Sequence, residues 1–96
     1  MSHSVMIHLT CNKGAGAEFL SVLLPSLVET RAYDGCELVE TYVDCDDPDR
    51  IVLWEKWAAR SNQEAYMGWR VETGAMEAVG AFLAEPPTVF HLNAAD

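Results

Sequence analysis

The 96-residue chain has six basic and fifteen acidic side chains, a formal charge of -9, and 50% hydrophobic residues. That length fits one domain, residues 1–96, whose fold buries roughly two thirds of the surface the unfolded chain exposes. The acidic balance argues against a nucleic-acid partner. The longest uncharged stretch, Phe19 to Val28, is too short for a bilayer, so no membrane association is expected. MSHSVMIHLT at the N-terminus lacks the basic and long apolar regions of a secretory signal, so a cytoplasmic location is expected.

Val5 to Thr10 reads as a strand with Val5, Ile7 and Leu9 on one face and Met6, His8 and Thr10 on the other. From Ala17, the residues Phe19, Leu20, Leu23, Leu24, Leu27 and Val28 recur at helical spacing, and Pro25 predicts a kink. A connector over Ala32 to Gly35 leads to a second strand over Cys36 to Asp44. The following DCDDPD loop faintly resembles a calcium loop, but it has Pro48 and lacks the turn-forming glycine, so a solvated turn is expected. Arg50 to Trp57 predicts a third strand. Ser61 and Glu64 have capping-box spacing for a second helix, which carries Ala65, Tyr66, Trp69, Met76, Val79 and Leu83 on one side and breaks near Thr73 and Gly74. Thr88 to Leu92 reads as a last short strand after Pro86 and Pro87.

The order strand, helix, strand, strand, helix, strand predicts an α+β, ferredoxin-like split βαβ sandwich: a four-stranded antiparallel sheet with helices on one face. The uncovered face would hold Met6, His8, Val52, Trp54, Val89 and His91, apolar enough to predict a homodimer packed sheet to sheet. There His8 and His91 could stand side by side, while His3 is expected to be disordered near the terminus. Cys11, Cys36 and Cys45 match neither a disulfide framework nor a CxxC motif and read as reduced structural thiols.

Three segments carry a resemblance: ETRAYDGC at Glu29 to Cys36, DDP at Asp46 to Pro48, and WEKW at Trp54 to Trp57. In order and at this spacing, the chain resembles the antibiotic biosynthesis monooxygenase (ABM) family of small dimeric α+β barrels over nearly its whole length. The resemblance implies a cavity between helices and sheet, and oxidation of a quinol or polycyclic phenol by dioxygen as co-substrate, with no metal, flavin or haem. It also implies a departure. Many members carry a histidine nine residues after the second tryptophan of that motif, where this chain has Tyr66, a poor base near neutral pH. The residues aligned with those of haem-degrading relatives are Ile7, Tyr66 and Met76, which disfavours haem degradation.

Glu55 shares the core-facing register of Ile51, Leu53 and Trp57, where burial would raise its pKa towards that of a useful base. The structural alternative is a carboxylate paired with Arg60, Arg70 or a backbone donor. Glu55, Tyr66 and His8 are the candidate catalytic residues, and Tyr42, Trp54, Trp57 and Trp69 the candidate lining of a slot for a flat aromatic. No metal site is expected, since two imidazoles alone are incomplete. The alternative function is a barrel, non-catalytic or differently catalytic, that binds a small aromatic ligand.

Overall fold

The computed structural model describes residues 2–96. Strands β1 (His3–Thr10), β2 (Cys36–Asp44), β3 (Asp47–Trp57) and β4 (Thr88–Leu92) form one antiparallel sheet in the order β2-β3-β1-β4. Helices α1 (Gly16–Ala32), α2 (Arg60–Glu72) and α3 (Ala75–Gly80) cover one face. This is the expected α+β ferredoxin-like arrangement, with the second helical region split in two. Gly74, at φ 78°, supplies the left-handed residue between α2 and α3.

Alternation sorts the central strands cleanly. Val5, Ile7 and Leu9 of β1 and Ile51, Leu53, Glu55 and Trp57 of β3 all point to the helices and are buried. Against them α1 places Phe19, Leu23, Leu27 and Thr30, one residue per turn. The expected wider stripe is therefore too generous, because Leu24 is half exposed and Val28 is 69% exposed. The helix runs unbroken through Pro25, which is exposed, so the Ser21 carbonyl left without its helical donor can turn to water.

Several local expectations change. The acidic loop is a tight hairpin, with Cys45 and Asp46 alone between β2 and β3. Asp49 lies inside β3, where its two carboxylate oxygens accept the amides of Gly14 and Gly16 at 2.9 Å, capping the entry to α1 from another element. Those donors hold its pKa below the ordinary value. Gly16 is required at this junction, because a Cβ would overlap the Pro48 carbonyl oxygen. At the other helix, Ser61 and Glu64 form no capping box. Helix α2 starts one residue earlier behind Ala59, which contributes no side-chain cap, and Glu64 faces Arg60 at 3.6 Å instead.

The register of β4 also differs from the expected one. His8 stands opposite Thr88, Met6 opposite Phe90, and Val5 opposite His91. Val89 and His91 therefore face the helices, and the uncovered sheet face instead holds Met6, His8, Tyr42, Val52, Trp54 and Phe90. His3 is ordered in β1 and its Nε2 lies 2.8 Å from Nδ1 of His91, so the histidine pair is His3 with His91, not His8 with His91. Burial, Arg60 and His3 all press the His91 pKa downward.

Candidate active site

Between helices and sheet lies a cavity of about 190 Å³. Ile7, Leu9, Leu53 and Val89 form its floor, and Phe19, Val22, Leu23 and Leu27 of α1 one wall. Met67 of α2 with Met76, Ala78 and Val79 of α3 close the opposite side. Val22 and Val89 are substantially exposed, so the cavity opens to solvent past them. Its charged and phenolic lining comes from Glu55, Tyr66 and Arg70.

Glu55 is 2% exposed, and its Oε1 accepts a 2.9 Å hydrogen bond from Nε1 of Trp57, two residues along the same face. Among the described residues neither Arg60 nor Arg70, nor any other basic group, comes within ion-pair distance of it. The alternative of a structural pairing with Arg60 or Arg70 is therefore not what the structure shows. Burial raises its pKa above the ordinary carboxylate value, and the indole donor offsets part of that rise. A basic carboxylate at the wall of an apolar cavity is equipped to take a proton from a bound ligand.

Tyr66 lines the same cavity, and its hydroxyl sits in a buried network. Arg70, one helical turn on and 8% exposed, donates from Nε to the Tyr66 hydroxyl at 2.8 Å. Its Nη2 donates to the Ser26 carbonyl at 2.8 Å and to Thr30 Oγ1 at 3.1 Å, tying α2 to α1. Thr30 Oγ1 and the Tyr66 hydroxyl are 2.6 Å apart. Sequence reasoning missed this role for Arg70 and Thr30. Residues 63, 66 and 70 do recur at helical spacing on one side of α2, a signal obscured by the polar character of Gln63 and Arg70.

Trp57 and Trp69 do not touch the cavity but pack behind Tyr66, with ring centroids 5.1 and 6.1 Å from it. Tyr33, from the connector after α1, completes this cluster at 5.3 Å from Tyr66 and 5.5 Å from Trp69. The expected slot of four aromatics is therefore divided. Tyr42 and Trp54 lie on the uncovered sheet face, because each is one residue out of step with Thr41, Leu53 and Glu55. His8 is exposed on that same face, edge-on to Phe90, and cannot reach the cavity through the sheet. Among the described residues no three His, Cys, Asp or Glu side chains converge as a metal-binding group. The three cysteines are free thiols, and burial raises the pKa of Cys11 and Cys36.

The resembling segments acquire physical content here. Arg31 donates to the Val39 carbonyl at 3.1 Å, fixing the end of α1 to β2. Gly35, at φ 87°, lies where a Cβ would overlap the Asn62 side chain.

No curated protein matches the chain in sequence. Solved structures do. A protein from Mycobacterium tuberculosis superposes with a TM-score of 0.86 at 24% identity, covering 100% of this chain and 97% of its own. SnoaB, a cofactor-independent oxygenase from Streptomyces nogalater, superposes with a TM-score of 0.84 at 16% identity, covering 99% and 95%. A protein from Nitrosomonas europaea follows at 0.81 and 18%, covering 98% and 90%. At these identities the likeness establishes the fold. The sequence model of the family described as antibiotic biosynthesis monooxygenase matches residues 2–81, and the chain belongs to that family.

Proposed function

We propose that the protein is a monooxygenase that oxidises a quinol or phenol with dioxygen and without a cofactor. The observation that carries this reading is Glu55: a carboxylate buried without a cationic partner among the described residues, at the wall of a mostly apolar cavity. Glu55 takes the hydroxyl proton of the bound ligand, and the resulting anion is rich enough in electrons to reduce dioxygen by one electron. Recombination at the ring forms a carbon–oxygen bond. Glu55 returns its proton to the outer oxygen of the peroxide, and the ring hydrogen and that hydroxyl leave together as water to give a quinone, so one oxygen atom enters the product and the other leaves as water. The apolar walls leave the anion few water contacts away from the opening past Val22 and Val89 while it reacts. Family membership and the fold shared with a cofactor-independent oxygenase support the assignment.

The active form in this reading is a homodimer, with Met6, Val52, Trp54 and Phe90 of one sheet against the same face of a second copy. Light scattering after size exclusion then gives about twice the 10.6 kDa chain mass, and a monomer mass alone at micromolar concentration contradicts it. A second reading follows from the engagement of the Tyr66 hydroxyl by Thr30 and Arg70, which suits a binding site with no chemistry.

Oxygen uptake with one- and two-ring quinols in the presence of chelator separates the two. The monooxygenase reading predicts uptake above autoxidation that falls by about 100-fold or more in Glu55→Gln, the scale of a lost general base. Quenching of tryptophan fluorescence by the same quinols with no uptake above background contradicts it and supports the binding protein.

A further inference from the structure

The cavity's second polar feature is the Tyr66 hydroxyl, and its hydrogen-bond count is informative. A phenol oxygen offers one donor and two acceptor sites. Arg70 Nε fills one acceptor site at 2.8 Å. Thr30 Oγ1 accepts from Arg70 Nη2 and lies 2.6 Å from the Tyr66 oxygen, a contact in which either hydroxyl can be the donor. When Thr30 is the donor, both acceptor sites of Tyr66 are taken and its O–H is left for a group in the cavity that Tyr66 lines. A hydroxyl accepting from a guanidinium and from a second hydroxyl is polarised into a stronger donor.

The cavity's size narrows what it receives. Its volume of about 190 Å³ is close to that of apolar cavities of ~150 Å³ known to hold a single benzene ring. It falls below the ~300 Å³ at which drug-sized sites begin. A third fused ring would have to lie outside.

We propose that the cavity binds a phenol of one or two rings whose oxygen accepts the Tyr66 hydroxyl proton, and that Arg70 and Thr30 are positioning residues that direct that proton. The proposal deepens the reading of the cavity as a phenol site but needs no oxygen chemistry. Tyr66 holds the developing negative charge on the ligand oxygen, and the Arg70 cation beside it is the charge that compensates.

The test compares 4-nitrophenol, whose visible absorption reports its ionisation, with 4-nitroanisole, its methyl ether, which cannot ionise. The parent protein binds the phenol about tenfold or more tightly over the ether, the scale of one hydrogen bond to a charged group, and shows the phenolate band of the bound ligand. Tyr66→Phe abolishes both the preference and the band. Thr30→Val, which removes the hydroxyl and little volume, diminishes them by more than it diminishes the affinity for the ether, a pattern that loss of packing alone does not produce. Arg70→Lys, which keeps the charge but loses the fork, does the same where it folds. Equal binding of the two compounds by the parent, no binding of either, or a full preference in folded Tyr66→Phe overturns the proposal. A full preference in Thr30→Val overturns the positioning role. Selective 4-nitrophenol binding without oxygen uptake on quinols would end the monooxygenase reading and leave this one standing.

Discussion

The two faces of the sheet contain similar side chains put to opposite uses. On the helix side, Glu55 and Trp57 are sealed between β3 and the helices, hydrogen-bonded to each other, with Trp57 fully buried. On the other side Trp54, one residue away, lies beside Met6 and Val52 with no helix over it. A strand's period of two decides which indole supports a cavity and which offers a surface. Aromatic density in a sequence segment is therefore no measure of pocket content.

Truncation breaks this comparison most sharply. Trp57→Ala should cost about 3–5 kcal/mol of folding stability. Trp54→Ala should cost the isolated chain about 1 kcal/mol or less, while weakening self-association. Urea denaturation over a range of protein concentrations checks both. Similar losses in the two variants, independent of concentration, would erase the distinction.

Gly35→Ala sharpens the same contrast at the edge of the cavity face. The φ of 87° and the overlap with Asn62 predict a loss of roughly 1–3 kcal/mol in thermal unfolding, whereas Gly68→Ala, exposed in α2 with open space at its Cβ, should be neutral or stabilising by up to ~1 kcal/mol.

The smallest effect concerns pH. The folded state raises the pKa of Glu55, so the unfolded chain loses that proton first. The stability linked to Glu55 is thus fully present below its unfolded pKa, about 4.3, and is lost as pH rises through the raised folded value. Glu55→Gln should therefore gain stability relative to the parent as pH increases from 4 to neutrality. A gap that does not change over this range would mean that the carboxylate is not destabilised by burial.

The strand and helix order was legible because alternation and helical spacing dominate β1, α1 and β3. Placing Glu55 on the cavity face needed only the period of two. The β4 face was misread because five residues between a double proline and the C-terminal segment carry no pattern strong enough to fix register; pairing with β1 decides it. The Thr30–Tyr66–Arg70 network escaped for a different reason. Thr30 and Arg70 are 40 residues apart and polar, so only the packing of α2 on α1 identifies them as buried partners. Asp49 was likewise hidden, since a cap supplied by a neighbouring strand has no local spacing.

Whether Glu55 is the base of the cavity shows in the pH dependence of oxygen uptake on a one-ring quinol, corrected for autoxidation. With Glu55 as the base, activity rises with pH through an acid limb lying above the ordinary carboxylate range, and the residual activity of Glu55→Gln has no such limb. An acid limb that persists unchanged in Glu55→Gln at full rate would contradict it.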